Sequence, residues 1–458
     1  MPNLLVLPDL REMLAEKDEA GLKEIATELH PATIADFSEG LSDEDSWQLL
    51  NYAPVPRQAA ILAFYPPTKQ VEMITGAGRQ RISKLLEAMP HDDRVDLVKQ
   101  LDSEVVEAVL PLVAKADRED IRRLLSYPED SAGAVMTTDY ATLPVDVTVA
   151  QALDELRRQA PEKETIYYVY VLDQDRRLLG FISLRHLILA KPTAVVGNLM
   201  EKEVIAVRVD EDREEVARLL ARYDFIAIPV VDDQHRLVGI VTHDDVIDVM
   251  VAEATEDVLH QAGVATIVEN YLDAPFATIW RKRAVWLACF FVAEALLASS
   301  AMAHFEHTIE AVLVLALFVP LCTSTGGNSG SQAATLATRA LALGHVGLGD
   351  WWRVLRHELL MGLALGMTVG VVGCLVALFW PQSGSDAVNP WLLALVIGQS
   401  VACICLWGTL LGSMLPMVFK RLGFDPGYAS SPFVATFVDV TGIVIYFTFA
   451  RMYIPALQ

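Results

Sequence analysis

Residues 311–332 read Ala311-Val-Leu-Val-Leu-Ala-Leu-Phe-Val-Pro-Leu-Cys-Thr-Ser-Thr-Gly-Gly-Asn-Ser-Gly-Ser-Gln332. The first nine residues are apolar, as a membrane segment should be; the rest, after Pro320, turn polar and glycine-rich. The neighbouring sequence supplies the setting. Ala284–His304, Leu359–Trp380, Trp391–Phe419 and Pro432–Ala450 are apolar over lengths close to the roughly 20 residues a helix needs to cross a bilayer. With Ala311–Leu336 they make five predicted spans. So many long apolar runs in succession do not suit the core helices of a soluble domain.

The loops orient these spans. Arg281, Lys282 and Arg283 precede the first, Arg339, Arg353 and Arg356 separate the second from the third, and Lys420 and Arg421 separate the fourth from the fifth. The loops Phe305–Glu310 and Pro381–Pro390 hold no Lys or Arg. Basic residues stay on the cytoplasmic side, so the front half is predicted inside and the C-terminus outside, with Arg451 as the exception. The opening Met1-Pro-Asn-Leu-Leu-Val-Leu-Pro-Asp9 does not read as a signal peptide.

Polar, glycine-rich backbone at membrane depth survives where it is buried in protein or lines water. Broken segments of this kind offer carbonyl oxygens to ions, and Asn328 and Gln332 need polar partners there. A pore-lining role is therefore predicted for the second span, expected to be broken; close helix packing by small residues is the alternative. Asp439, near the centre of the fifth span, is an intramembrane carboxylate and by default a functional residue. Glu294 and Glu358 are weaker candidates, and Gly362, Gly366 and Gly370 read as helix packing. The five cysteines show no metal-ligand spacing. Oxygen groups without a Cys/His cluster suit a hard divalent cation, and Mg²⁺ sheds its water reluctantly.

The front half differs in kind. Residues 1–279 hold 27 Lys/Arg against 51 Asp/Glu, whereas the remainder is nearly neutral. Such a surface repels nucleic acid and attracts cations. Residues 1–130 read as short amphipathic helices punctuated by His30-Pro31, Pro66-Pro67 and Met89-Pro90, predicting a helical superhelix. Asp92 and Asp96 share one helix face. Further on, Val171–Ile188 aligns with Val230–Ile247 at an offset of 59, with Asp173/Asp232, Arg177/Arg236, Leu178/Leu237 and Gly180/Gly239 coinciding. Each copy reads strand, turn, strand, helix. A helix bearing Asp248, Glu253, Glu256 and Asp257 then leads to the membrane.

The repeat resembles a tandem pair of CBS (cystathionine β-synthase) domains, an α/β module that often binds adenine nucleotides. Its marker is intact as Gly239-Ile-Val-Thr-His-Asp-Asp245. In the first copy, Gly180-Phe-Ile-Ser-Leu-Arg-His186, His186 stands where a ribose-binding Asp is usual.

The whole chain resembles the MgtE-type magnesium transporter family. The match rests on Tyr127-Pro-Glu-Asp-Ser-Ala-Gly-Ala-Val-Met-Thr137, Gly326-Gly-Asn-Ser-Gly-Ser-Gln332 and Ser431-Pro-Phe-Val-Ala-Thr-Phe-Val-Asp-Val-Thr-Gly442. The resemblance implies an all-α N-terminal domain (1–130), a CBS pair (131–200 and 201–250), a connector or plug helix (251–275) and a five-helix membrane domain (276–458). It implies a multi-pass homodimer of the cytoplasmic (inner) membrane, a Mg²⁺-selective channel closed by cytoplasmic Mg²⁺, and no enzyme. The interface pore would be lined by Pro320, Gly327, Asn328, Gln332, Ser431 and Asp439, with Asp439 holding hydrated Mg²⁺. Ser431 stands where some members carry Asn. Regulatory Mg²⁺ ligands would be Asp92, Asp96, Asp212, Glu214, Asp224, Asp245, Asp248, Glu253, Glu256 and Asp257. Nucleotide contacts, with ATP as the expected ligand, map onto Tyr168, Arg185, Ile205, Phe225 and Asp245. A coupled secondary transporter for Mn²⁺ or Co²⁺ is the rival reading, and a nucleotide sensor without transport a second. No Walker-type phosphate loop supports a pump.

Overall fold

The computed structural model describes residues 7–266, 275–380, 389–454 and 457, without the side chains of Glu162 and Ala311. Most of the Pro381–Pro390 loop, the first six residues, and residues 267–274 of the expected connector lie outside the described residues. Two units, Met1–Ala252 and Glu253–Gln458, are compact in themselves.

The first unit opens with ten short helices: α1 Leu7–Glu16, α2 Glu19–Glu28, α3 Pro31–Ser38, α4 Asp43–Leu50, α5 Val55–Ala63, α6 Pro67–Gly76, α7 Arg79–Ala88, α8 His91–Gln100, α9 Ser103–Val109 and α10 Lys115–Leu124. Their N-caps from α2 onward, Asp18, His30, Ser42, Pro54, Pro66, Gly78, Pro90, Asp102 and Ala114, recur every twelve residues. Buried pairs keep the same step: Leu49-Leu50, Ile61-Leu62, Met73-Ile74, Leu85-Leu86 and Leu97-Val98. Each unit of the repeat is one helix plus one turn. Helices pack on the next but one, α4 on α6, α5 on α7, α6 on α8. A repeat too short to bury its own apolar face builds a continuous core by stacking. The predicted superhelix is present, and its repeat is finer than the proline punctuation alone indicated.

Two three-stranded sheets follow. In the first, β1 (Tyr140–Pro144) runs parallel to β2 (Thr165–Leu172), which pairs antiparallel with β3 (Leu178–Ser183). The second repeats this pattern with β4 (Val207–Arg208), β5 (Ala227–Val231) and β6 (Leu237–Thr242). The helices α11 Val149–Gln159, α12 Leu184–Leu189, α13 Val196–Leu199 and α14 Arg213–Tyr223 accompany them. Gly180 and Gly239 occupy the same place in the two copies. A Cβ on either would lie 2.5 Å from a Glu201 carbonyl oxygen or the Met136 sulfur. Val95 of α8 and Leu124 of α10 enter one core with Val207, Val216, Ile228 and Val246. The helical repeat is thereby fastened to the second CBS copy. Helix α15, His243–Gln261, leaves that copy.

The second unit holds α16 Phe276–His304, α17 Glu306–Ala311, α18 Val314–Ala342, α19 Trp351–Leu378, α20 Pro390–Arg421 and α21 Ser431–Tyr453. Among the described residues four helices are long and apolar enough to cross a membrane: Phe276–His304, Leu348–Leu378, Pro390–Arg421 and Ser431–Tyr453. The expected second span is not among them, because residues 323–332 are too polar. Nor is it broken: α18 is continuous over 29 residues, with Pro320 inside it. The reason is packing. A Cβ on Gly412 would stand 2.1 Å from the Gly330 carbonyl oxygen, and one on Gly408 2.4 Å from that of Gly326. The small residues bring the α18 and α20 backbones together, as expected for helices in lipid. Gly366 and Gly370 do the same for α19 against α20, facing the carbonyls of Ala402 and Gly398 at 2.6 and 2.7 Å.

Gly412→Ala should therefore lower the melting temperature of the detergent-purified protein by about 5 °C or more, since overpacking costs about 1–3 kcal/mol. Gly349→Ala, whose Cβ would meet nothing within 4 Å, should leave it unchanged. Thermal melts followed by intrinsic fluorescence check both.

Candidate functional site

Helices α8 and α15 each carry carboxylates in their first turns, Asp92 and Asp93 on one, Asp244 and Asp245 on the other. Acids are favoured there by the helix dipole. The core around Val95 and Val246 brings these two N-termini face to face. Asp245 accepts from Thr242 Oγ1 at 2.6 Å. Its carboxyl neighbours that of Asp92, which burial also raises above the usual carboxylate range and whose Oδ1 is buried without a hydrogen-bond partner among the described residues. Burial first, and then the neighbouring carboxylates, push Asp245 up to about 8 and Asp93 up to about 7. Asp96, Asp244 and Asp248 are among the groups acting on Asp93. Glu164, just before β2, is pushed up to about 7 by burial and then by Asp92 and Asp244.

Of the expected ligands, Asp92, Asp96, Asp245 and Asp248 are brought into one cluster. Asp93, Asp244 and Glu164 join it, which sequence reasoning missed; the Asp92-Asp93 and Asp244-Asp245 doublets at two helix starts were the available signal. Among the described residues no three His, Cys, Asp or Glu side chains already close around a metal position. The cluster is two facing acidic surfaces, suited to an ion that keeps part of its water.

Asp212, Glu214 and Asp224 stand at the two ends of α14. Asp212 caps α14 by accepting from the Glu214 N–H at 2.8 Å, and Glu214 pairs with Arg218 at 2.6 Å. Asp224 is the left-handed C-cap of the same helix, with φ of 53°. A helix of eleven residues is about 16 Å long, so Asp212 and Asp224 of one chain cannot share an ion.

A second carboxylate group lies at the far end of α15. Burial first, then Asp425 and Glu253, raise Asp257 above the usual carboxylate range. His260, 8% exposed, sits between Asp425 (Nδ1–Oδ2, 2.6 Å) and Glu256 (Nε2–Oε1, 3.5 Å) and stacks on Tyr428. Asp425, in the loop before α21, was not legible as a site residue from sequence.

In the CBS pair, Tyr168, Ile205 and Phe225 line one cleft with Phe181 and Val204, closed down to about 10 Å³. Tyr168 stands edge-on to both Phe181 and Phe225. Arg185, exposed, and Asp245, engaged with Asp92, do not line it. His186 is also exposed, and its N–H donates to Ser183 Oγ.

In the second unit, Asp439 faces α18. Its Oδ1 is buried with no hydrogen-bond partner among the described residues, and a Cβ on Gly327 would lie 3.4 Å from it. Gly326 makes this approach possible by seating against Ile404 and Val438. Ser431 accepts from Ser331 through its carbonyl at 3.3 Å. Pro320, Asn328 and Gln332 lie exposed on α18, with Asn328 Nδ2 3.4 Å from Ser324 Oγ.

A helical repeat and CBS pair followed by a membrane bundle with a bare carboxylate define a class, the divalent cation transporters with a soluble CBS module. The family model for divalent cation transporters matches residues 319–449, that for the MgtE intracellular N domain 29–130, and that for CBS domains 132–192 and 196–252. The chain is 39% identical over 454 residues to the magnesium transporter MgtE of Thermus thermophilus, covering 98% of each. It is 37% identical to the Enterococcus faecalis protein of that name over 334 residues, 73% of this chain and 71% of the relative. The crystal structure of the cytosolic domain of the Mg²⁺ channel MgtE in complex with ATP is 40% identical, with a TM-score of 0.51, covering 52% of this chain and 98% of that one. The chain belongs to the MgtE family of magnesium transporters.

The acidic cluster makes stability pH-dependent. Its folded carboxyls bind protons more tightly than unfolded ones, so folding is favoured at low pH and loses stability as pH rises from about 4 through about 8. Without divalent cation, residues 1–252 should melt lower at pH 8 than at pH 5.5. Asp93→Asn should flatten that slope, and millimolar Mg²⁺ should raise the pH 8 melt most. A melt that ignores both pH and Mg²⁺ would remove the cluster as a cation site.

Proposed function

We propose that this protein is a Mg²⁺-selective channel of the cytoplasmic membrane, working as a homodimer and closed from inside by the ion it conducts. The observation that carries conduction is the buried Asp439 oxygen against Gly327, without a hydrogen-bond partner among the described residues. A carboxylate without a partner at membrane depth is stable only with water or a cation beside it. Mg²⁺ keeps its inner waters, so a carboxylate and small residues can hold it hydrated. In this reading α18 also crosses the membrane, as the second of five spans. It needs no apolar surface where it packs on α20 and α21, and its exposed Pro320, Asn328 and Gln332 would face the second protomer and the pore. The loop charges support an inside N-terminus and an outside C-terminus.

Closure follows from the acids. Mg²⁺ bridging Asp92, Asp96, Asp245 and Asp248 would offset the repulsion between these facing carboxylates, and would order α15. Glu253, Glu256 and Asp257 would repeat this nearer the membrane, with Asp212, Glu214 and Asp224 meeting ions on another surface. Several weak sites acting on one two-state element give a steep response.

Asp439→Ala should abolish Mg²⁺ uptake while the protein remains folded; normal uptake by a well-expressed variant would sink the assignment. Single-channel recording with Mg²⁺ as the only permeant cation separates a channel from a coupled Mn²⁺ or Co²⁺ transporter, which would give no unitary currents and would need a H⁺ or Na⁺ gradient.

An adenine nucleotide, ATP in the first instance, would enter between Tyr168, Ile205 and Phe225, reach Arg185, and draw Asp245 away from Asp92. His186→Asp should tighten ATP binding, because a carboxylate accepts from both ribose hydroxyls. Calorimetry on residues 131–250 tests this, and tighter binding by the wild type than by the variant would show His186 to be compatible with the site.

A further inference from the structure

The acidic front half contains one basic island. Residues 46–86 hold Arg57, Lys69, Arg79, Arg81 and Lys84 against a single acid, Glu72. Two of these cations are spent on the fold. Arg57 donates to the carbonyls of Ala26 and Leu29, and Lys69 to Asp43 Oδ1 and the Leu41 carbonyl. The other three line one open cavity of about 730 Å³, together with Asn51 and Gln58. Arg81 is held in place there. Its Nη2 donates to Asn51 Oδ1 at 2.7 Å and to Gln58 Oε1 at 3.2 Å, and its guanidinium lies 3.8 Å over the Trp47 ring. Arg79 and Lys84 are exposed and have no ion pair among the described residues.

We propose that this cavity binds small anions bearing phosphate groups. Three cations within six residues repel one another. Arg79 and Arg81 also stand in the first turn of α7, where the helix dipole disfavours positive charge. An anion of two or more charges would relieve both at once. Guanidinium forks match phosphate oxygens in pairs, and Lys84 supplies a mobile point charge. The volume is that of a small-molecule site rather than a macromolecular groove. Arg81, already fixed by Asn51, Gln58 and Trp47, loses little freedom on binding. The site is separate from the Tyr168–Phe225 cleft and does not depend on the Mg²⁺ reading.

The test is calorimetry of the full-length protein in detergent, free of divalent cations, titrated with inorganic pyrophosphate. Wild type should bind, and the double variant Arg79→Gln/Lys84→Gln at least tenfold more weakly. Arg158→Gln, an exposed cation paired with Glu155 outside both sites, should bind like wild type. Asn51→Asp, which sets a carboxylate against Arg81, should weaken binding without touching the exposed cations. Equal binding by wild type and the double variant, or loss only in Arg158→Gln, overturns the proposal. The source of the phosphate is read from the acetylation rate of Lys84. Slowing by pyrophosphate assigns a free anion, and slowing only in phosphatidylglycerol nanodiscs assigns a lipid headgroup. No slowing by either overturns the site.

Discussion

Asp92 and Asp245 meet in a buried place where two negative charges cannot both persist. Burial raises both carboxyls above the usual carboxylate range, so each gives up its proton less readily there. The contact exists because Val95, Leu124 and Val246 pack the helical repeat onto the second CBS copy. Hydrophobic burial therefore holds together what electrostatics pushes apart, and the balance depends on pH and cations.

The membrane unit answers a different constraint. Without a hydrophobic force between helices in lipid, contact must come from close packing. Gly326, Gly330, Gly408 and Gly412 let the α18 and α20 backbones touch, and Ser329 and Thr409 exchange a hydrogen bond of 2.6 Å in that contact. The same small residues bring α18 to α21, so Gly327 lies against Asp439. The polar run that looked like an ion-coordinating break is thus first of all a packing surface. The carboxylate it meets, Asp439, comes from the neighbouring helix α21.

Much of this was legible in the chain itself. Apolar length gave the membrane half, the offset of 59 gave the CBS pair, and prolines at helix starts gave the superhelix, because each reflects local backbone and solvent preference. The twelve-residue step of the caps was also written there. It was hidden because its N-cap residues vary from Asp and Ser to Pro and Gly, which serve one position by different means.

Sequence by itself determined the kinds of group available: an acidic front half, an intramembrane Asp439, and a glycine-rich helix. It could not say which carboxylates meet, since Asp92 and Asp245 are 153 positions apart and only the shared core sets their separation. Nor could it tell that Asp212 caps its own helix while Asp93 faces other carboxylates. The one finds an N–H of its own helix, and the other finds four further carboxylates. Whether α18 would break or run through was likewise decided by tertiary structure, because its helix is held by backbone contacts with α20 that no local propensity encodes.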